Sequence, residues 1–395
     1  MEGLHVRLPA FAPDYSGVCS TLYELGGTVV VHDPGGCTGN FVAYDEPRAY
    51  TNSSCIFTSA LEDMQALLGR DDMLVDAICR AQKEVHGRFV ALVGTPNPMV
   101  LGTDYKALAH EVEQRCSVPA ISFNTSGTKF YDHGVEAAFV SIARDLLDHP
   151  SSTRKPRSVN LLGATPLDMT NQKNIDIICE QLRDAGWSVC GSWAMGSTLE
   201  ELQEGLSASC NIVLTHSGLT VARWLKKTYG IPYVWGCFSG QQAVDVFLDH
   251  LNQVVLGRTE QPLSNPPHSS NDGGRALVIA DQVLAEGYRR ALEFDAGFSA
   301  VDVATFFAAD FEGMRPHDTS ELSEDVLERL LQDGNYDLVI GDGLLDTFVK
   351  NSSSKLLAIP HVAISSRISW NTTVCPYGSG FIDLLRSAYA KCDNS

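Results

Sequence analysis

The chain has 395 residues, 44% of them hydrophobic and 19% charged, and its formal net charge is −19. This length exceeds one ordinary core and indicates roughly two to four domains, while the negative charge disfavours direct binding to nucleic acid or to an anionic membrane. The chain contains no apolar run of roughly 18 residues that would span a bilayer, and residues 1–11 lack the basic start and the apolar core of a secretory signal. We therefore expect a cytoplasmic protein.

The most distinctive local signal is the turn at residues 32–40, HDPGGCTGN, which follows a short apolar strand at residues 29–31. Gly35 and Gly36 leave room in front of Cys37 for a bulky inorganic cluster, and they expose backbone N–H groups that can hydrogen-bond the sulfides of such a cluster. From the chemistry of the residues alone, a metal-ligand role for Cys37 and a partly exposed turn thiol are equally open.

The other cysteines divide into two groups. The chain has 11 cysteines, and in a reducing compartment we expect thiols or metal ligands rather than a disulfide framework. Three lie in apolar periodic segments and are interpreted as buried structural thiols, namely Cys79, Cys179 and Cys210. Cys19 and Cys55 are candidate further ligands, because a cluster at an interface can draw its ligands from distant loops of two chains. The alternative for Cys55 is a small residue packed under a helix expected over residues 61–78.

Three blocks of the sequence repeat an apolar β-branched strand, a glycine-containing turn and an amphipathic helix, which is the pattern of parallel sheets with crossover helices. Strands are expected at residues 89–94, 118–123, 158–163, 211–214, 232–235, 276–280, 300–303 and 336–340. Helices between them are expected over residues 104–115 and 175–185.

Polar linkers at residues 151–157 and 261–274 separate the three blocks. We therefore predict an α/β fold of three doubly wound domains with mainly parallel sheets around a central cleft. The predicted domains cover residues 1–155, 156–264 and 265–395.

Ligands of open parallel sheets gather beyond the carboxyl ends of the strands, where glycine turns let the backbone approach them. The candidate site loops are residues 94–98, 163–166, 215–218, 236–240 and 341–343. None of these loops is a GxGxxG or a GxxxxGK[ST] motif, so we do not expect this chain to bind a nucleotide, and any ATP would be hydrolysed by another protein. His216 is a weak catalytic candidate that could bind a metal or protonate a substrate, and a satisfied polar loop histidine is the alternative.

The order of several motifs resembles one known family. The runs VHDPGGC, SSC, TSALED and LG, at residues 31–37, 53–55, 58–63 and 68–69, are similar to the cluster-binding domain of nitrogenase component 1 type oxidoreductases. The similarity continues in order at residues 94–104, 227–232, 337–343, 358–360 and 376–381. It is closest to the β subunit of nitrogenase component 1 and to its relatives in cluster assembly and in dark-operative protochlorophyllide reduction.

The resemblance implies that Cys37, with Cys19 and Cys55, holds an iron–sulfur cluster at a subunit interface. The cluster would be a four-iron four-sulfur centre completed by a partner chain, or a larger shared cluster. The implied partners are a homologous component 1 subunit, identical or paralogous, and an ATP-hydrolysing iron protein that supplies electrons for a substrate or cofactor in the inter-domain cleft. We therefore predict a nitrogenase-like reductase subunit, with a non-catalytic scaffold or partner subunit for metallocluster assembly or transfer as the alternative.

The chain also departs from the family pattern. The family has a cysteine where this chain has Pro96, and its first cysteine falls near Tyr15, about one helical turn before Cys19. Cys55 is therefore only a suggested replacement for the missing ligand. The family's ligands to a second metallocofactor are not in place in the corresponding stretches, residues 214–218 and 362–367.

Overall fold

The computed structural model describes residues 6–52, 54–150, 153–263 and 273–390. In this part of the chain, three four-stranded sheets follow one another, and the strand pairs within each sheet are parallel. The predicted α/β fold with three parallel sheets is confirmed. The predicted boundary between residues 264 and 265 lies outside the described residues, as does most of the predicted linker at residues 261–274.

The first sheet has the order β2-β1-β3-β4. Its strands are β1 (Thr28–Val31), β2 (Ile56–Thr58), β3 (Val90–Val93) and β4 (Ala120–Phe123). The helices of this region are α1 (Asp14–Leu22), α2 (Gly36–Asn40), α3 (Asp63–Leu68), α4 (Asp71–Val85), α5 (Pro96–Leu101), α6 (Tyr105–Cys116) and α7 (Tyr131–Ser141).

The second sheet has the order β6-β5-β7-β8. Its strands are β5 (Ser158–Leu162), β6 (Ser188–Ser192), β7 (Cys210–Val213) and β8 (Tyr233–Trp235). Its helices are α8 (Pro166–Met169), α9 (Gln172–Asp184), α10 (Leu199–Gly205), α11 (Leu219–Tyr229) and α12 (Gln242–Val255).

The third sheet has the order β10-β9-β11-β12. Its strands are β9 (Arg275–Ile279), β10 (Ala300–Ala304), β11 (Leu338–Gly341) and β12 (Lys355–Ala358). Its helices are α13 (Gln282–Asp295), α14 (Glu324–Asp333), α15 (Asp346–Val349), α16 (Val362–Ser365) and α17 (Gly380–Ala390). No helix in the described ranges is both long enough and apolar enough to cross a bilayer.

All three sheets share one strand order, in which the first strand lies between the second and the third. The winding of such a sheet reverses between its first and third strands, and a crevice opens there at the carboxyl ends. The three reversal points lie between β1 and β3, between β5 and β7, and between β9 and β11. They mark where each sheet can present functional side chains.

The helix predicted over residues 61–78 is two helices. Glu62 and Gln65 form a capping box at the start of α3, and Gly69 ends this helix with a φ of 60°. This left-handed conformation suits glycine and terminates the helix, so α4 starts afresh at Asp71. The prediction of one continuous helix was wrong, because the apolar periodicity of the sequence gives no sign that a helix ends at Gly69.

Helices α1 and α7 pack backbone to backbone on the inner face of the first sheet. Every residue of α1 is buried, and glycines lie where the two helices cross. A Cβ atom added to Gly17 would collide with the Tyr131 carbonyl, and one added to Gly134 would collide with the Asp14 carbonyl. The close approach of α1 and α7 therefore leaves no room for a side chain at Gly17 or at Gly134.

We predict that Gly134→Ala lowers the free energy of unfolding by about 3 kcal/mol, because the new methyl group overpacks this crossing. Urea unfolding measures the change. Gly39→Ala is the control, since a Cβ atom at this helical glycine would meet no atom within 4 Å. Equal stabilities of the two variants would contradict the predicted close crossing.

Candidate functional site

Asp33 organises the turn that presents Cys37. Its buried carboxylate accepts hydrogen bonds from the backbone N–H groups of Cys37 and Thr38, at 2.8 and 3.1 Å, and from the hydroxyls of Thr38 and Thr58, at 2.8 and 2.7 Å. Gly35 adopts a φ of 119°, a conformation that side chains oppose. These contacts fix the start of α2 directly after β1.

Cys37 is half-buried at the carboxyl edge of the first sheet. The side chains of Tyr15 and Thr95 lie beside its sulfur, and burial is the main cause that raises the pKa of its thiol. A Cβ atom added to Gly35 or Gly36 would meet no atom within 4 Å. The turn therefore holds a half-buried thiol next to glycines that leave its outer side open.

The two positions at which the family resemblance expects further cysteines lie next to this thiol. Tyr15 contacts Cys37 directly, and Pro96 follows Thr95 at the start of α5. Tyr15 and Pro96 also share a neighbour, since a Cβ atom on Gly127 would lie 3.3 Å from the Tyr15 ring and 2.8 Å from the Pro96 ring. Of these three neighbouring positions, only Cys37 is a cysteine in this chain.

Cys19 lies one turn beyond Tyr15 on α1 and is completely buried. Burial, followed by the neighbouring carboxylates, chiefly that of Glu46, raises the pKa of its thiol. A metal binds the thiolate form of cysteine, which this surrounding disfavours. The shift of one helical turn places Tyr15, rather than Cys19, against Cys37.

Cys55 lies at the opposite edge of the sheet from Cys37. Its carbonyl oxygen accepts a 2.9 Å hydrogen bond from the N–H of Val29, near the beginning of β1, whereas Cys37 follows the end of that strand. Each residue advances a strand by about 3.3 Å, so the two cysteines are separated by about 10 Å along the sheet alone. Within one chain Cys55 precedes β2 and does not approach Cys37, so its role as a ligand stays a prediction.

The described residues contain no group of three or more His, Cys, Asp or Glu side chains that could hold a metal ion. The described part of the chain therefore places one thiol at this edge of the first sheet, instead of the expected three. A cluster fits Cys37 only if further ligands come from another chain.

His216 begins a short turn after β7, at the reversal point of the second sheet. Its backbone N–H donates to both carboxylate oxygens of Asp281, at 3.0 and 2.9 Å. Burial lowers the pKa of the imidazole, which favours the neutral ring. This backbone contact links the turn after β7 to Asp281, which caps the start of α13.

A buried polar cluster, formed by Tyr131, Asp168, Asp281 and His361, lies where the three domains meet. The Tyr131 hydroxyl donates to the Asp168 carboxylate, and the His361 Nε2 atom lies 3.4 Å from the same carboxylate. Burial, and then the charge of Asp168, raises the pKa of Asp281 well above its ordinary value. Sequence analysis did not identify this cluster, although Asp281 directly follows a strand end, which is a usual position for functional groups.

The space beside this cluster is nearly closed. The cavity at the carboxyl ends of β9 and β11 has a volume of about 20 Å³ and is lined by Asp168, Tyr288 and His361 among others. A cavity of about 10 to 15 Å³ already suffices for one water molecule. The space beside these side chains therefore has no room for a substrate or a metallocofactor.

Exposed apolar side chains form a surface on α3 and α5, which we call the α3–α5 surface. Leu67 and Val100 are 78% and 79% exposed, and Met64, Leu68 and Leu101 are also exposed. A cavity of about 720 Å³ separates α3 from the end of α5 and reaches His32, beside the Cys37 turn. Exposed apolar side chains that gather around a cavity are a common mark of an interaction site.

Comparisons with known proteins identify the family and the fold. A family model described as "Nitrogenase component 1 type Oxidoreductase" matches residues 16–374. The chain is 23% identical to the nitrogenase iron-molybdenum cofactor biosynthesis protein NifE of Bradyrhizobium diazoefficiens, over 80% of this chain and 62% of that protein. It is 22% identical to a subunit of the light-independent protochlorophyllide reductase of Synechococcus elongatus, over 66% of this chain and 56% of that protein.

The chain thus spans about three fifths of the length of these curated relatives. A solved structure described as "Nitrogenase Cp1 at pH 5" superposes with a TM-score of 0.66 at 16% identity, over 99% of this chain and 89% of that chain. This last likeness establishes the fold.

We predict that Asp33→Ala increases the rate at which Cys37 reacts with an aromatic disulfide reagent, because the turn loses the acceptor that holds its N–H groups. The variant should also lose about 2 to 4 kcal/mol of stability, since several donors are left unsatisfied. Mass spectrometry of the labelled peptide identifies the reacting cysteine. Asp104→Ala, which removes the cap of α6, is the matched control and should leave the labelling of Cys37 unchanged. Unchanged labelling in both variants would contradict the role of Asp33.

Proposed function

Because the chain belongs to the nitrogenase component 1 type oxidoreductase family, we propose that it is a subunit of a nitrogenase-like reductase that contributes Cys37 to an iron–sulfur cluster shared with a partner chain. The family match confirms the resemblance found in the sequence. The observation that carries the proposal is the Cys37 turn, which holds a half-buried thiol beside open space at the reversal point of the first sheet.

The ligand count determines the kind of partner. A four-iron four-sulfur cluster is usually held by four cysteine thiolates. The residues that the structure describes offer Cys37 alone at this edge, so two identical chains would bring two such thiols together. We therefore propose a paralogous component 1 subunit that supplies the remaining ligands.

The residues around Cys37 would set the properties of this site. When bound, the cluster would accept and release single electrons. Tyr15 would donate a hydrogen bond to the Cys37 sulfur, and hydrogen bonds to cluster sulfurs tune the reduction potential. The Thr95 hydroxyl donates to the His32 carbonyl at 2.7 Å and so holds α5 against the Cys37 turn. Asp33 and Gly35 would keep the thiol in place. An ATP-hydrolysing iron protein remains the proposed electron donor, since the chain lacks a nucleotide-binding motif of its own.

The α3–α5 surface is the proposed contact with the partner. It lies at the same edge of the sheet as Cys37, so a chain that covers it could also approach the thiol. Its exposed leucine and methionine side chains would gain from being covered, as the central part of an interface does. The electron acceptor is proposed to lie outside this chain, because the inter-domain cavity of about 20 Å³ is too small for it.

A second function is favoured by the same closed cavity. The chain would then be a non-catalytic partner or scaffold subunit in metallocluster assembly or transfer, a role that the name of the NifE relative suggests. Turnover of a reducible substrate by the assembly, with an iron protein, ATP and a low-potential reductant, would exclude this alternative. Release of a cluster to an acceptor protein without turnover would support it.

We predict that the chain, co-expressed and purified without oxygen with its component 1 paralogue, contains about four irons and four acid-labile sulfides per pair of chains. Cys37→Ser should lose most of this iron and the broad visible absorption, because the thiolate ligand is removed. Cys55→Ser is the control and should keep both, since Cys55 lies at the other edge of the sheet. Equal iron in the wild type and in Cys37→Ser would contradict the proposed ligand.

The same experiment has a complementary variant. The double substitution Tyr15→Cys with Pro96→Cys would place two more thiols beside Cys37. If the positions are arranged as the structure indicates, this variant should bind iron and sulfide without the paralogue, while the wild-type chain alone should not.

We predict that Leu67→Glu raises the dissociation constant for the paralogous subunit about tenfold or more, because a charge would be buried in an apolar contact. Stability of the isolated chain should change little, since the side chain is 78% exposed. Analytical ultracentrifugation measures the association. Phe311→Glu, at an 83% exposed position of the third domain, is the control and should not weaken it. Weakening by the control alone would place the interface elsewhere.

A further inference from the structure

Two cysteine side chains lie close together on the other face of the first sheet, away from Cys37. Cys79 in α4 and Cys116 at the end of α6 place their Sγ atoms 3.0 Å apart. A disulfide bond is about 2.05 Å long, so an approach of about 1 Å would join the two sulfurs. Both residues belong to the apolar cluster around Val30 and Leu92, on the face opposite to α1.

We propose that Cys79 and Cys116 are a reversible oxidation site at which a disulfide links α4 to α6. This inference does not depend on the proposed function, because neither sulfur is part of the Cys37 turn. It also changes the interpretation of Cys79, which sequence analysis took for an inert structural thiol. The eleven cysteines in the sequence gave no spacing that singled out this pair.

The reaction balances with a peroxide as the oxidant. The Cys116 thiol reacts with hydrogen peroxide to give a sulfenic acid and one water molecule. The Cys79 thiol then attacks that sulfur, the S–S bond forms, and a second water molecule leaves. The two sulfurs have lost two electrons in total and the peroxide has been reduced to water. A dithiol reductant reverses the change by thiol–disulfide exchange.

The surroundings indicate which thiol reacts first. Cys116 is partly exposed, whereas Cys79 is only 8% exposed. Burial and the neighbouring Cys79 raise the pKa of Cys116 to about 11, although Arg115 and Lys83 act in the opposite direction. Only a small fraction of Cys116 is therefore thiolate at neutral pH, and oxidation should need sustained peroxide rather than a brief pulse.

The link would close a loop from residue 79 to residue 116. This loop contains β3 and α5, and so it includes Thr95 beside Cys37 and Val100 on the α3–α5 surface. A disulfide that closes such a loop stabilises the fold, chiefly by restricting the unfolded chain. Oxidation would therefore make the first domain harder to unfold without touching the Cys37 thiol.

The test uses the full chain, reduced with dithiothreitol and then exposed to hydrogen peroxide, with unreacted thiols alkylated under denaturing conditions. Mass spectrometry should find the Cys79 peptide joined to the Cys116 peptide, lighter by two hydrogen atoms than the two separate peptides. The melting temperature should rise by about 3 to 5 °C and return after reduction.

Three variants separate this link from other oxidation. Cys79→Ser and Cys116→Ser should each abolish the joined peptide and the rise in melting temperature, whereas Cys190→Ser should preserve both. If a serine variant does not fold, the joined peptide in the wild-type chain still decides the question. Cys116 oxidised alone, with Cys79 still open to alkylation, would overturn the proposal.

Discussion

The buried carboxylate of Asp33 is the interaction on which the Cys37 turn depends. An ionised group can be buried when hydrogen bonds replace its water, and four donors do so here. Two of these donors are backbone N–H groups of the helix that carries Cys37, and one comes from β2. The carboxylate thus ties the thiol to the sheet, and the position of the thiol relative to α5 and to the neighbouring surface follows from that anchor.

Much of the fold could be predicted because its inner strands are uninterrupted apolar runs. Strand β3 is such a run, and its glycine turn was expected to lie at the carboxyl edge. Strand β6 was missed because it contains serine, cysteine and glycine at positions that make no apolar pattern. The position of Cys55 was also missed, since its pairing with Val29 is set by the register of two strands, which local patterns do not contain.

The polar cluster between the domains shows a second limit of local patterns. Tyr131 and His361 lie 230 positions apart in the sequence, and neither belongs to a recognisable motif. Their meeting depends on how three sheets of the same topology pack against one another. In this chain the packing brings the reversal points of the second and third sheets so close that side chains fill the space. Chemistry on a larger molecule is therefore better sought at the outer edge of the first sheet, where the Cys37 turn faces open space.

Cys37 lies at the carboxyl edge of the first sheet, and this position also bears on the order in which the subunits and the cluster assemble. The three sheets are stabilised by apolar packing, and the single thiol of Cys37 adds little to this packing. Under the proposed function, the chain would fold first, pair with its partner second and acquire iron last. Cells could then hold a pool of folded, iron-free chains. The supply of the partner, rather than the supply of this chain, would decide how much of the pool becomes active.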